Sequence, residues 1–250
     1  MNSGLLFDIN LLTQMNTKFL SWDHDQCRCQ NLICVFADAP SPAKLSYTSS
    51  LSSHVVKGGS VTLVCTVDSP GRPDNVTYVW SRGAHLMSDV KSSTFVISPV
   101  RLETRSNFTC APVNEGGKGV PATVVIDVKA PPSFIQKLQT YQGVLYNSEY
   151  INLTCTVECY PLCSIIWREN GVKIDPENNP RYDIENTILP PNINKNDFES
   201  VNSTLVWNVS AWPRKQLDKT APHSNYTCES THNEVGTGVS SSIEIAVDCK

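Results

Sequence analysis

The chain has 250 residues, of which 40% are hydrophobic and 18% are charged, and its formal net charge at pH 7 is -4. This length allows one or two domains with cores of their own. The acidic balance argues against nucleic acid as a partner, because binding to phosphates requires a basic surface. Ten cysteines and a set of N-x-[ST] sequons are typical of a secretory protein with oxidised thiols. No apolar run reaches the roughly 18 residues of a membrane span, so we predict none in this fragment.

Residues 1–40 are predicted to be an irregular segment outside any domain. Polar residues interrupt the apolar ones near the amino terminus, so the pattern of a signal peptide is not met. Ala37-Asp38-Ala39 has the form of a cleavage site, but the apolar run before it, Leu32 to Phe36, is too short. We interpret the segment as a processing remnant or an artefact of the sequence.

Three cysteines of this segment, together with one histidine, superficially suggest a metal cluster. His24, Cys27, Cys29 and Cys34 fit no common zinc spacing, however, and the segment offers no hydrophobic support. We therefore predict no metal site. The roles of Cys27, Cys29, Cys34 and Cys249 stay without an assignment.

From residue 41 onwards, the chain repeats a cysteine-tryptophan-cysteine order with strand-like alternation around it. The two frames are Cys65, Trp80, Cys110 and Cys155, Trp167, Cys228. Apolar residues alternate at period two around each first cysteine, as in Val61, Leu63, Cys65 and Ile151, Leu153, Cys155. This pattern predicts antiparallel strands with one face in a core and one in solvent. An aromatic residue, Phe108 or Tyr226, stands two residues before each second cysteine.

These residues resemble the immunoglobulin superfamily, nearest its I-set cell-surface members, and more weakly the arthropod adhesion receptors of the nephrin and echinoid kind. The resemblance covers residues 41–250. It implies an all-β fold of two tandem immunoglobulin-like β-sandwiches, residues 41–129 and 130–250, with Trp80 and Trp167 as core tryptophans. The first frame departs from the family pattern, because Phe108 has no hydroxyl for a tyrosine corner and a looser turn is expected there.

The family architecture also implies disulfide pairs across each core. Cys65 is expected to bond Cys110, and Cys155 to bond Cys228. Cys159 and Cys163 continue the inward parity of the neighbouring strands, and we predict a small third bridge between them. The alternative for this close pair is a redox-active or zinc-binding site, which would need a second pair with ligand spacing.

Two connecting regions carry further expectations. Lys129 to Ser133 contains paired prolines that block ladder bonds, so a short and fairly rigid linker is expected. About forty residues separate Trp167 from Trp207, which allows either extra strands or a long loop. By register with the first linker, the chain stops where another linker would begin, so we expect a piece of a longer ectodomain.

No catalytic or cofactor motif is present in the sequence. Nucleophile-elbow, zincin, P-loop and dinucleotide fingerprints are missing, and the histidines and carboxylates are dispersed. We therefore expect a binding protein rather than an enzyme, without cofactor or metal. Trp207 is interpreted as a core residue, whereas Trp212, which Pro213 follows outside the alternation, is left open as a contact residue.

The sequons predict N-linked glycans. They are Asn75, Asn107, Asn152, Asn202, Asn208 and Asn225. The leading hypothesis is a cell-surface adhesion or recognition receptor that binds protein ectodomains of the immunoglobulin superfamily, homophilically or heterophilically. It would lie on the extracellular side of the plasma membrane. The alternatives are a secreted immune or scavenging protein and the ectodomain of a signalling receptor.

Overall fold

The computed structural model describes residues 27–30, 33–50, 53–145, 148, 151–212, 217 and 223–248. For residues 27–30, 33–36, 223 and 248 it describes the backbone alone. The described chain is almost entirely β, which confirms the predicted fold class of two tandem sandwiches. No helix among these residues is long and apolar enough to cross a membrane.

A short hairpin precedes the first sandwich. Strands β1 (Cys27–Gln30) and β2 (Ile33–Phe36) pair antiparallel, a regular element that the sequence analysis did not predict. The side chains of Cys27, Cys29 and Cys34, as well as His24 and Cys249, lie outside the described part of the chain, so their roles stay unassigned.

The first module contains β3 to β11. These strands are β3 (Ala43–Ser49), β4 (Val55–Val56), β5 (Val61–Val67), β6 (Thr77–Arg82), β7 (His85–Leu86), β8 (Thr94–Ile97), β9 (Asn107–Asn114), β10 (Gly117–Lys118) and β11 (Ala122–Val125). One sheet has the order β3-β5-β8, and the other has the order β10-β9-β6-β7 with β11 also on β9. Asp38 already contacts this module, since its N–H and carbonyl exchange 2.9 Å hydrogen bonds with those of Arg72.

The core of the first module follows the predicted alternation. Val61, Leu63 and Cys65 are fully buried on the inner face of β5, opposite the fully buried Trp80 of β6. Phe108 is also buried, and the turn before it is a 3-10 turn at Leu102–Thr104. The Thr104 hydroxyl accepts a 3.1 Å hydrogen bond from the N–H of Arg101, so the turn expected to be loose is in fact closed by a side chain.

The second module contains β12 to β20. These strands are β12 (Val128–Gln136), β13 (Tyr141–Leu145), β14 (Asn152–Tyr160), β15 (Ile165–Glu169), β16 (Val172–Lys173), β17 (Tyr182–Leu189), β18 (Ser200–Trp207), β19 (His223–Ser230) and β20 (Ser240–Asp248). One sheet has the order β17-β18-β14-β12, and the other has the order β13-β20-β19-β15-β16. Both alternatives for the region before Trp207 occur, because the extra strand β17 is followed by an inserted segment, residues 190–199. A second 3-10 turn, Val209–Ala211, lies between β18 and β19.

The two modules share one strand where the sequence predicted a linker. β12 pairs in parallel with β4 of the first module and antiparallel with β14 of the second. The paired prolines interrupt the strand pairing only over a short stretch. The pairing with β14 shifts register between Ala130 and Ser133, the stretch that holds Pro131 and Pro132. A proline can stay in a strand where its missing N–H is not needed by a neighbour. The connection is therefore a continuous extended strand.

Candidate protein-binding surface

The structure places the predicted cysteines of each frame together. Cys65 is bonded to Cys110 and Cys155 to Cys228, with Cα atoms 6.4 and 6.6 Å apart. Cys159 and Cys163 are also bonded, with Cα atoms 6.0 Å apart, and this bridge closes one end of the second module. Val157 packs with this third pair in a small cluster of its own.

The core tryptophans lie beside these disulfides with their indole N–H groups satisfied. Trp80 Nε1 donates to the carbonyl of Ser92 at 2.9 Å, and Trp167 Nε1 donates to Ser203 Oγ at 2.8 Å. Trp212, which the sequence left open as a contact residue, is largely buried. Its ring is only 9% exposed and stacks on Trp207 with centroids 5.6 Å apart, because the chain after β18 folds back over the end of the core.

The sequon asparagines lie at the surface of both modules. Asn202 is half-buried, and the exposed ones are Asn75, Asn107, Asn152, Asn208 and Asn225. Asn152 and Asn202 point from neighbouring strands, β14 and β18, to the same outer sheet face. The Asn202 side chain already accepts a 2.8 Å hydrogen bond from the Thr156 hydroxyl. Glycans on these residues remain a proposal.

One outer sheet face of the first module carries no charged side chain at its centre, with Lys118 of the edge strand β10 at its margin, opposite Val113. This neutral face is formed by Val79 and Ser81 of β6, Leu86 of β7, Thr109 of β9, and Thr123 and Val125 of β11. Its members alternate with the inward residues Trp80 and Cys110, so they share the solvent side. Leu86 and Val125 are each 66% exposed. A partner that covers the neutral face therefore has few charged groups to remove from water.

The corresponding face of the second module has the opposite character. Its outward residues include Arg168, Lys173, Glu229 and Glu244, which come from β15, β16, β19 and β20. Arg168 Nε lies 2.7 Å from a carboxylate oxygen of Glu229, and the sequon residue Asn225 faces Glu244 across the ladder. The face of the first module differs in that its central strands combine exposed apolar side chains with no charge, and its one charged residue among the paired strands, Lys118, lies on the edge strand β10.

A buried ion network joins the two modules. Glu158 of β14 is 1% exposed, and its carboxylate accepts hydrogen bonds of 2.7 and 2.8 Å from Lys57 Nζ of the first module. The same carboxylate accepts from Ser133 Oγ at 3.1 Å and from the N–H of Phe198 at 2.6 Å. All these donors converge on one acid, so its charge is compensated although it is removed from water.

The inserted segment of the second module closes the end of the first. Phe198 is fully buried in the hydrophobic cluster of the first module, with Val100, Leu102 and Val128. Two residues earlier, Asn196 Oδ1 accepts a 2.7 Å hydrogen bond from the backbone N–H of Leu102. The first core is therefore completed by a side chain that belongs to its neighbour.

An ion pair, which we call the arginine clamp, lies at the edge of this junction. Arg105 forms two hydrogen bonds with the carboxylate of Glu199, of 2.9 and 3.0 Å, and its guanidinium lies 4.8 Å from the ring centroid of Tyr160. Burial alone would raise the pKa of Glu199, but the hydrogen bonds from Arg105 outweigh it and hold that pKa below its ordinary value of 4.5. The clamp is therefore fully charged at neutral pH.

Sequence comparison places this architecture among known proteins. Residues 44–128 match the family model of an immunoglobulin domain. Cell adhesion molecule Dscam1 of Drosophila melanogaster is 29% identical over 100 residues, which cover 40% of this chain and 5% of Dscam1. Lachesin of the same organism is 26% identical over 149 residues, which cover 57% of this chain and 39% of Lachesin. Residues 44–128 therefore form an immunoglobulin domain.

The chain also matches a third arthropod relative. Protein amalgam of Drosophila melanogaster is 25% identical over 158 residues, which cover 59% of this chain and 44% of amalgam. The chain thus spans less than half the length of each of these relatives.

Solved structures share the tandem immunoglobulin fold. The complex of Dpr2 Ig1-Ig2 with DIP-Theta Ig1-Ig3 matches with a TM-score of 0.50 and 20% identity, covering 84% of this chain and 66% of that one. The insect immune protein hemolin matches with a TM-score of 0.54 and 13% identity, covering 80% of this chain and 46% of that one. At these identities the likeness concerns the fold alone.

The sequence analysis did not predict the residues that form the junction between the two modules. Glu158 has the outward parity of Thr154 and Thr156 on β14, which ordinarily means solvent, but it is buried and contacts Lys57 of the first module as well as groups of the second. Phe198 lies in the insertion and belongs to no periodic pattern. The one available signal was the length of that insertion, since long insertions in compact domains are often functional.

Proposed function

We propose that this chain is an extracellular recognition module that binds another protein ectodomain of the immunoglobulin superfamily and catalyses no reaction. The neutral face is the observation that carries this proposal. Three exposed apolar side chains, Val79, Leu86 and Val125, lie on a sheet that bears no charge across its centre. A partner sheet of similar character can cover them without burying an unpaired ion.

The relatives support the class of activity. Dscam1 is named a cell adhesion molecule, and the matched Dpr2 fragment was solved in complex with another chain of immunoglobulin domains. Adhesion through such modules is weak for one contact and strong for an array on a membrane, because linked sites raise the effective concentration. We propose that the chain acts in this way on the outer side of the plasma membrane.

The contact between the two modules also supports the proposal. Phe198 and the Lys57–Glu158 ion pair fix the second module against the first, so the neutral face is presented at one angle to the chain that follows. A binding surface held at a fixed angle loses less conformational entropy on association than one on a flexible tether.

Bead aggregation tests the proposal. Beads coated with the glycosylated fragment are expected to cluster with each other or to bind cells that display a partner. Leu86→Glu places a charge on the neutral face, and we expect at least about a tenfold loss of binding, since burying an unpaired carboxylate costs well over 1.4 kcal/mol. Val172→Glu is the matched control, because Val172 is similarly exposed (71%) on the equivalent short strand of the second module.

The outcomes separate the two parts of the proposal. Beads that neither self-cluster nor bind cells would contradict adhesion through these modules. Binding that Leu86→Glu and Val172→Glu reduce equally would contradict the assignment to the neutral face, while leaving recognition by the chain intact.

A further inference from the structure

One edge of the second module is an open strand. β17 (Tyr182–Leu189) lies at the outer end of its sheet, and among the described residues it has a neighbouring strand, β18, on one side only. Each of its residues pairs with β18 without a break in register, and every residue from Glu185 to Leu189 is exposed. An open strand of this length offers unpaired backbone groups to any strand that approaches it. The edge is separate from the neutral face, which lies on the first module.

The hydrogen bonds around β17 show which of its backbone groups face the open edge. The carbonyl of Arg181 accepts a 2.8 Å hydrogen bond from the residue that follows β18, so the odd-numbered residues of this segment face β18. The N–H of Ile184 instead donates to Asp183 Oδ1 at 2.8 Å. In an antiparallel ladder, alternate residues turn both backbone groups to the same side. The groups of Ile184, Asn186 and Ile188 therefore face the open edge, where the described chain offers no partner to the N–H of Asn186 or Ile188.

The usual protection of an edge strand is only partial in β17. Natural proteins block open edges with charged side chains and prolines. The two charges of β17, Asp183 and Glu185, both lie in its first half, and Asp183 already occupies the N–H of Ile184. The second half, 186–189, has neither charge nor proline, and its Ile188 is 63% exposed. This half of the edge is therefore open to another strand.

We propose that β17 pairs antiparallel with β17 of a second copy of this chain, about a two-fold axis at Asn186. The N–H groups of Asn186 and Ile188 in each copy then donate to the carbonyls of Asn186 and Ile184 in the other, and the bond between Asp183 and the N–H of Ile184 stays intact. Ile184, which packs against the second core, lies opposite the exposed Ile188 of the second copy. Such cross-strand pairs of β-branched apolar residues stabilise a sheet.

The charges of the edge are compatible with this self-pairing. On the outer sheet face Asp183 lies opposite Leu189 of the second copy, and Glu185 lies opposite Thr187, so no carboxylate directly faces another. The two Glu185 side chains are diagonal neighbours about 7–8 Å apart in solvent, where their repulsion is weak. A register centred on Glu185 would instead place these two carboxylates directly opposite each other, which destabilises a sheet. The charge pattern therefore favours the axis at Asn186.

The proposed contact is small, because it consists of one strand edge from each copy. Interfaces of this size are weak in free solution. Copies held together on one surface have a raised effective concentration, so a weak contact still brings them together there. A test in solution must therefore reach high protein concentrations.

Sedimentation of the full chain carrying Leu86→Glu tests the edge without any contribution from the neutral face. The average mass is expected to rise from one chain towards two as the concentration increases to about 1 mM. Adding Ile188→Asp places a carboxylate opposite Ile184 of the second copy and should weaken the pairing at least about tenfold. Adding Ile193→Asp is the matched control, because Ile193 is 65% exposed but lies beyond β17. A chain that stays monomeric throughout, or equal weakening by the two substitutions, would overturn the proposal.

Hydrogen exchange of single backbone amides locates the contact. The N–H groups of Asn186 and Ile188 should exchange more slowly as the chain concentration rises, because they become hydrogen-bonded only in the dimer. Those of Glu185 and Thr187, which face β18, should be protected at every concentration. A dimer that forms without any slowing at Asn186 and Ile188 would place the contact elsewhere and overturn the proposal.

Engineered cysteines test the register. Asn186→Cys should form a disulfide between two copies, identified by peptide mapping, because hydrogen-bonded residues opposite each other in an antiparallel ladder have Cα atoms about 5.5 Å apart. Thr187→Cys should not, because its counterpart is a diagonal neighbour about 7–8 Å away, beyond the reach of a disulfide. A bridge through Thr187→Cys and none through Asn186→Cys would overturn the axis at Asn186.

Discussion

Glu158 of the second immunoglobulin module and Lys57 of the first form an ion pair of 2.7 Å in which the carboxylate side chain is only 2% exposed. A buried ion pair contributes little to the stability of the fold compared with an apolar pair of the same size. Loss of one partner, however, leaves the other charge buried and without compensation. The two modules are therefore tied to each other by an interaction that is costly to break from either side.

Lys57→Met removes the cation and leaves Glu158 buried with neutral donors only. We expect the free energy of unfolding to fall by about 3 kcal/mol, the usual cost of an uncompensated buried charge. Urea denaturation followed by tryptophan fluorescence measures it. Lys44→Met is the matched control, because Lys44 pairs with Asp68 at 2.7 Å but both side chains are well exposed, at 65% and 71%. That substitution should cost under about 1 kcal/mol, and equal losses for the two variants would contradict the buried network.

Phe198→Ala removes the ring that completes the first core. The expected loss is about 3 to 5 kcal/mol, as for other buried phenylalanines, because both transfer energy and packing contacts disappear. The destabilised part should include the first module, although the substitution lies in the second. Hydrogen exchange of the backbone amides of β5 and β9 measures this. Ile193→Ala, in the same insertion but 65% exposed, should leave that exchange unchanged. Faster exchange in the second module alone would contradict the shared core.

The Arg105–Glu199 clamp predicts an acid-sensitive junction. The folded pKa of Glu199 lies below its ordinary value of 4.5, with burial opposed and outweighed by the hydrogen bonds from Arg105. A depressed carboxyl pKa stabilises the folded state above the unfolded pKa, and this contribution is lost as pH falls through the folded pKa. The stability difference between the unsubstituted chain and Glu199→Gln should be about 1 kcal/mol at pH 7 and should shrink below pH ~4.5.

Denaturant unfolding of both chains between pH 7 and pH 3 measures the difference. Asp68→Asn, which alters only an exposed pair, should show a much smaller difference at every pH. A difference for Glu199→Gln that grows as pH falls would have the wrong sign and would refute this account.

Asn107 provides a test of how glycans bear on recognition. It lies opposite Val125 in the β9–β11 ladder, at one edge of the neutral face, and is exposed. A glycan there covers part of the surface that we assign to binding. Asn107→Gln in a glycosylating host should therefore increase bead clustering, whereas Asn152→Gln, on the second module, should not. Clustering that falls with Asn107→Gln would show that the glycan helps binding instead.

The module architecture could be predicted from the sequence because its signals are local and repeated. Period-two alternation around Cys65 and Cys155, with a tryptophan after each, reports a strand with one buried face wherever the strand sits. The junction could not be predicted in this way. Phe198 and Leu102 are far apart in sequence, and the burial of Glu158 depends on how one module sits on the other. The stacking of Trp212 on Trp207 is likewise visible only once the three-dimensional packing is known.

The strand β12 belongs to the ladders of both modules. A pulling force applied to one module is therefore transmitted to the other through backbone that is already extended, because no flexible linker separates them. In the adhesive role that we propose, a pulling force would therefore pass between the modules through this shared strand without first extending a slack linker.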